Sequence, residues 1–256
     1  MLTILIGRAK TGKSDTMLRR MAELGESSQQ ILLVPEHASH QAEVDLCRFC
    51  GDTASRHAEV LSFRRLCERV LSITGGAAQV TLDAGGKLLT LQKAMSEVAP
   101  ELRVYRRPSR KAAFLQQLLD LIDELRCYEV TPALLDAQAR EMEAGTTRDK
   151  LLDLSLVYAA YEARLLRPGL DARDKMSKLC DQLADSAYAA GKEVYLDGFT
   201  YFTAQERRVL EILLRQARDV TVTLLGEPDS REEIFEAALR TKEQLVRLAE
   251  RAGRPW

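Results

Sequence analysis

The sequence predicts an α/β fold: a parallel sheet built around a phosphate-binding loop and interrupted by a long all-helical segment. Three observations carry this. Two short apolar runs, Leu2–Ile6 and Ile31–Val34, are each ended by a chain-turning residue, Gly7 or Pro35, and read as buried parallel strands. Between them Lys13–Leu24 has helical periodicity, which makes a βαβ unit. Strand-like runs then vanish from about Leu82 to Ala190 and return at Glu193–Asp197 and Val220–Leu225.

Taken in order, a second helix is expected over Ser39–Phe49, before Gly51, and Glu59-Val60-Leu61 makes a short strand. Ser62 caps a helix through Phe63, Leu66, Val70 and Leu71 that ends at Gly75-Gly76. The following segment has only helical spacing, in Phe114, Leu115, Leu118, Leu119, Ile122 and Leu125, then in Leu151, Leu154, Val157, Tyr158, Tyr161 and Leu165. Its joints are Arg106-Arg107-Pro108-Ser109, Thr131-Pro132, Gly145-Thr146-Thr147 and Pro168-Gly169. A Thr203–Ala217 helix joins the last two strands, and Ser230–Ala252 reads as a charged amphipathic helix. The organisation expected is a P-loop α/β domain whose first part covers 1–80 and second part 191–256, with a helical subdomain at 81–190. The end at Gly253-Arg254-Pro255-Trp256 has no tapering tail, as expected where a longer protein continues.

Composition limits the function classes. With 256 residues and 46% hydrophobic content the chain can bury a sizeable core, and the 5% aromatic content favours helices packed through aliphatic side chains. A net charge of -1 supplies no global basic field, so any nucleic-acid contact must come from a local patch. No apolar run reaches the ~20 residues of a membrane span, and Met1–Ile6 lacks the features of a signal peptide, so a cytoplasmic protein without membrane contact is expected. Five cysteines, an odd number on mostly apolar helical faces, are expected as reduced thiols.

The strongest chemical signal is Gly7-Arg8-Ala9-Lys10-Thr11-Gly12-Lys13-Ser14, which fits G-x-x-x-x-G-K-[ST] between a strand and a helix. Such a loop curls so that backbone N–H groups and the helix N-terminus face phosphate oxygens. Lys13 is expected on the β and γ phosphates of ATP, and the Ser14 hydroxyl on Mg²⁺. Asp197, ending an apolar strand, is the candidate for the carboxylate that holds the Mg²⁺ shell; a turn-initiating Asp before Gly198 is the plainer reading. Where ATPases of the helicase type carry a water-activating Glu, this chain has Gly198, so hydrolysis is not expected to follow from binding. Leu225-Gly226-Glu227-Pro228-Asp229-Ser230 resembles the Gly-Asp-Pro-x-Gln segment that senses the γ-phosphate, with Glu227 for the Asp and Ser230 for the Gln; a strand-to-helix turn is the alternative.

Two further clusters have weaker readings. His37, His40, Cys47 and Cys50 have zinc-like spacing, against which Cys47 and Cys50 lie three apart on a helix and read more simply as core-facing thiols. The basic stretch Leu102–Lys111 suits either a phosphate backbone or a solvated loop. Arg64, Arg65 and Arg69, following the third strand, are better placed for nucleic acid, or are surface charge.

Gly7–Ser14, then Leu32-Leu33-Val34-Pro35-Glu36 with Gln41, then Val60-Leu61-Ser62-Phe63-Arg64-Arg65-Leu66, then Tyr195-Leu196-Asp197-Gly198-Phe199-Thr200 with Phe202, together resemble the N-terminal region of the AddB-type subunits of bacterial AddAB ATP-dependent helicase-nucleases. The resemblance covers nearly the whole chain. It implies a RecA-like, superfamily 1 helicase-like fold, a role in processing double-strand breaks for recombinational repair, and two partners, DNA and the A-subunit that supplies the motor of such complexes. It carries DNA contact onto Pro35, Glu36, Gln41, Ser62, Phe63, Arg64 and Arg65. The nuclease and iron-sulfur cysteines of AddB-type proteins lie beyond this segment, so no cluster is expected here. Mg-ATP binding with little or no hydrolysis is the expectation; a P-loop small-molecule kinase, or a docking module with a vestigial P-loop, are the rival readings.

Overall fold

The structure is a computed structural model, and it describes residues 1–75, 82–107, 111–165, 175–227 and 233–256. The chain divides into two compact units, Met1–Ala77 with Lys175–Trp256, and Ala78–Asp174.

The first unit is a five-stranded, wholly parallel sheet in the order β1-β5-β4-β2-β3. Its strands are β1 (Leu2–Gly7), β2 (Gln30–Leu33), β3 (Ala58–Leu61), β4 (Glu193–Leu196) and β5 (Asp219–Leu225). Because side chains alternate along a strand, β2, β3 and β4 each feed two cores, whereas β5 feeds one. Ile31, Leu33, Leu61, Val194, Leu196, Val220, Val222 and Leu224 pack toward α3 (Phe63–Thr74), α8 (Lys175–Asp185), α9 (Ala204–Gln216) and α10 (Glu236–Arg251). Leu32, Val34, Val60 and Tyr195 pack on the opposite face with Met17, Leu18 and Met21 of α1 (Lys13–Leu24) and Leu46 of α2 (Ser39–Cys50).

Local chemistry sets the helix starts. The Ser62 hydroxyl accepts from the Arg65 N–H and opens α3, while Thr203 and Glu206 form a reciprocal capping box on α9. The last helix, expected from Ser230, starts in the described residues with a 3₁₀ turn at Glu233–Phe235.

The second unit holds α4 (Ala84–Val98), α5 (Ala112–Cys127), α6 (Pro132–Glu141) and α7 (Thr146–Leu165). Its separate core joins Leu91, Met95, Leu115, Leu119, Ile122, Leu154, Val157, Tyr158 and Tyr161. The helical stretch expected as one body over 81–190 is therefore divided: Leu179, Cys180 and Leu183 of α8 belong to the core of the sheet unit, where α8 packs against α3 and α9. Among the described residues no helix is long and apolar enough to cross a membrane.

Candidate functional site at the carboxyl edge of the sheet

All five strands run the same way, so their carboxyl ends lie on one edge, the place where open α/β sheets bind ligands. That edge gathers the loop after Gly7, the Pro35–Glu36 segment after β2, Ser62–Arg64 after β3, Asp197–Gly198 after β4 and Gly226–Glu227 after β5.

The Gly7–Ser14 loop turns on two left-handed residues, Lys10 (φ 60°) and Gly12 (φ 80°). A Cβ on Gly7 would meet Thr11 Oγ1 at 2.6 Å, so a side chain there would have to push the Thr11 hydroxyl off the Arg8 carbonyl to which it donates. Gly12 caps α1 without any side-chain acceptor for the first helical N–H groups, which leaves a positively polarised helix end at the loop. Lys13 folds across the loop, donating from Nζ to the carbonyls of Gly7 (2.8 Å) and Arg8 (2.7 Å). Arg8 is drawn to the neighbouring strand end: its guanidinium donates to Glu227 Oε2 at 3.2 and 2.5 Å and lies 5.8 Å from the centre of the Phe235 ring. The expected sensor position Ser230, with Pro228 and Asp229, lies outside the described residues.

Asp197 begins the loop after β4, its N–H donating to Leu33 C=O at 3.0 Å. Its Oδ1 accepts from the hydroxyl of buried Thr223 on β5, the strand that separates β4 from β1. Gly198 has φ 79° and a Cβ there would stand 3.4 Å from Pro35 Cδ, so the backbone itself favours the residue that cannot act as a base.

Pro35, Glu36, Ser62, Phe63 and Arg64 come together, lining a cavity of about 420 Å³ with Gly198, Phe199 and Tyr201. Phe63 meets Phe199 and Phe202 edge-on at 5.6 and 6.4 Å. Two predicted positions stand apart from this cavity. Exposed Gln41 donates to Asp45 at 3.0 Å along α2, and Arg65 lines a separate groove between α2 and β3. The arginines are not open charge: Arg64 pairs with Glu36 and Glu68, Arg65 with Glu43 (2.7 Å) and Arg69 with Glu59 (2.7 Å). Hydrogen bonds from Arg64 and then Ser62 hold the Glu36 carboxyl below its usual range.

The comparisons with known proteins bear on the whole chain. A family model described as "ADDB, N-terminal" matches residues 4–256. The chain belongs to the ADDB N-terminal family. Proteins named as B-subunits of ATP-dependent helicase/deoxyribonuclease are similar to it. That of Moorella thermoacetica is 37% identical over 267 residues, covering 98% of this chain and 23% of the relative. That of Desulforudis audaxviator is 35% identical over 264 residues, with coverage of 98% and 23%. That of a Thermoanaerobacter species is 32% identical over 254 residues, with coverage of 96% and 22%. This ADDB N-terminal segment thus spans less than a quarter of the length of these relatives.

Within this family member, sequence reading missed Thr223 and Tyr201. Thr221 and Thr223 interrupt the apolar strand Val220–Leu225 at period two, a signal that both hydroxyls sit on one face. Tyr201, 61% exposed in the loop after β4, had no local signal beyond being aromatic. The expectation of core-facing thiols on α2 needs correction: Leu46 takes the core position, while Cys47 is exposed and Cys50 half-buried. Among the described residues no group of three or more His, Cys, Asp and Glu is arranged to hold a metal. The basic stretch is anchored by the buried Asp153 carboxylate, which accepts from the N–H groups of Arg103, Val104 and Tyr105 at 2.7 to 3.1 Å, and Arg103 also pairs with Asp149.

Proposed function

We propose that this segment is the ATP- and DNA-binding N-terminal region of the B-subunit of an ATP-dependent helicase-nuclease, with a RecA-like, superfamily 1 helicase-like fold. In that role it acts in the cytoplasm with the A-subunit on DNA ends during double-strand break processing, and it hydrolyses ATP weakly or not at all by itself. The observation that carries the reading is the convergence of the Gly7–Ser14 loop, Asp197 and the Pro35–Arg64 cavity on one sheet edge.

The residues suit Mg-ATP. Arg8, Ala9, Lys10 and Thr11 form the span of the loop between Gly7 and Gly12, and the uncapped start of α1 favours phosphate oxygens. Lys13 exchanges its loop carbonyls for phosphate charge. Ser14 and Asp197 hold Mg²⁺, the ion that neutralises the phosphates when bound, and Thr223 fixes one Asp197 oxygen while the carboxylate keeps further acceptor sites. Gly198 provides no proton acceptor, which supports binding without turnover. Pro35, Glu36, Gln41, Ser62, Phe63, Arg64 and Arg65 contact DNA, with Phe63 on the aromatic side of the cavity and Arg64 exchanging carboxylates for phosphates.

Titration with a fluorescent ATP analogue tests the first part. Saturable, Mg²⁺-dependent binding that Lys13→Ala removes is expected; its absence in the unaltered protein would leave a docking module with a vestigial loop. Steady ATPase activity stimulated by single-stranded DNA and abolished by Lys13→Ala would overturn the claim of little turnover.

A further inference from the structure

Cys47 and Cys50 close α2 and line no part of the Pro35–Arg64 cavity. Helical residues three apart have Cα atoms about 5 Å apart and neighbouring side chains. A disulfide accepts Cα separations of roughly 4.4–6.8 Å, so the backbone already holds this pair within bonding range. Their Cβ atoms, about 5–6 Å apart on a regular helix, must close by about 1–2 Å. Cys50 is the last residue of α2, and Gly51 (φ 78°) turns the chain away after it, so the final turn is free to tighten.

The two thiols have different surroundings. Cys47 is exposed and lines the groove between α2 and β3, a space of about 470 Å³. Buried Leu46, Ala54 and Val60 give the groove an apolar floor, and the part-exposed guanidinium groups of Arg65 and Arg69, paired with Glu43 and Glu59, supply its charge. Such a groove suits a small molecule with an aliphatic body and carboxylates that can exchange places with those of Glu43 and Glu59. Cys50 is half-buried and packs on the core that Leu46 and Ala54 share with the sheet. Burial, and then the charge of Cys47, push the Cys50 thiol up, so its thiolate forms less readily. Cys47 is thus the thiol that a reagent meets first, and Cys50 the one held behind it.

We infer that Cys47 and Cys50 form a thiol–disulfide modification site, in which Cys47 reacts with a small carboxylate-bearing disulfide in the groove and Cys50 resolves the product into a disulfide within α2. In the first step the Cys47 thiolate attacks one sulfur of the small disulfide; that S–S bond breaks, a mixed disulfide forms on Cys47, and the leaving thiolate takes up the proton that Cys47 gave up. In the second step Cys50 loses its proton and attacks Cys47 Sγ; the mixed disulfide breaks, the Cys47–Cys50 bond forms, and a second small thiol leaves with that proton. Two protein thiols are oxidised and one small disulfide is reduced to two thiols. An excess of small thiol reverses both steps, which gives the transient, redox-sensing kind of bond that reducing compartments allow. The inference stands on the α2 geometry and holds whether or not the segment binds ATP or DNA.

Oxidised glutathione, added to the reduced 256-residue chain and quenched with an alkylating agent at intervals, tests it by tryptic peptide mapping. Trypsin cuts after Arg48, so Cys47 is the cysteine of peptide 21–48 and Cys50 that of peptide 49–56. The glutathione adduct should appear first on 21–48 and then give way to a disulfide joining 21–48 to 49–56, which a reductant separates. Raising the pH should speed the second conversion, because it depends on the Cys50 thiolate. Cys50→Ser should hold the adduct on Cys47, and Cys47→Ser should leave Cys50 open to alkylation throughout. An adduct that persists on Cys47 of the unaltered protein, with the two peptides never joined, would overturn the proposal. So would a bond from Cys47 to Cys127 or to a second chain, or glutathione on Cys127 while Cys47 stays reduced.

Discussion

Gly198→Ala isolates the backbone requirement at the position where a catalytic Glu would stand. The residue has φ 79°, and the added Cβ would lie 3.4 Å from Pro35 Cδ, ordinary van der Waals contact. Crowding therefore contributes nothing, and the cost is that of placing an L-residue in the left-handed region, about 1–2 kcal/mol. In a unit of this size 1 kcal/mol moves the melting temperature by about 2–4 °C, so a drop of roughly 2–8 °C is expected. Asn visits the left-handed region more readily, and Gly198→Asn should lose about half as much. Thermal unfolding followed by circular dichroism, with urea unfolding as a check on the slope, measures both. Equal melting temperatures for all three proteins would refute the conformational argument. A Gly198→Glu protein that gained steady ATPase activity without loss of stability would refute its extension to mechanism, since a strained backbone should not deliver a working base.

Two other perturbations probe the cores. Asp153→Ala strips the acceptor from the N–H groups of Arg103, Val104 and Tyr105, and should cost about 3 kcal/mol of the second unit's stability in urea unfolding, with Asp153→Asn costing less. Burial pushes the hydroxyls of Tyr161 and Tyr195 up to about 12, above the ordinary 10 of an unfolded chain. Each folded unit thus holds its tyrosine proton more tightly than the unfolded chain does. The associated stability is complete below pH 10 and is lost as pH rises toward 12, at about 1.4 kcal/mol per pH unit for each residue. Alkaline titration followed by tyrosinate absorbance should show these two ionising together with unfolding, and Tyr161→Phe and Tyr195→Phe should each move that transition to higher pH.

Much of this arrangement was legible because its signals are local. The loop signature, the strand before it and the helix after it occupy some two dozen adjacent residues, and the Ser62 and Thr203 caps act on amides three residues away. What escaped the sequence is contact between distant elements. The arginines after β3 read as available charge because their carboxylates, Glu36, Glu43 and Glu59, come from other elements. Asp197 was legible as a strand-end carboxylate, whereas its Thr223 partner depended on β5 lying beside β4. Helix α8 has the spacing of an apolar face, yet spacing does not say which core that face meets. On α2, helical geometry turns Leu46 and Cys50 inward and carries Cys47 outward, a distinction that the C-x-x-C pattern hides.

The strand order also sets a timetable for synthesis. β1 pairs with β5, and Arg8 meets Glu227 across 219 residues of sequence. At roughly 5–20 residues per second, the loop-bearing strand waits on the order of ten to forty seconds on the ribosome before its partner exists. Through that interval Leu2–Ile6 is an apolar β-former with nothing to pair with. Within this segment the loop-bearing strand is the one that waits longest for its partner, and a chaperone that shields Leu2–Ile6 would serve this topology better than one acting on β4.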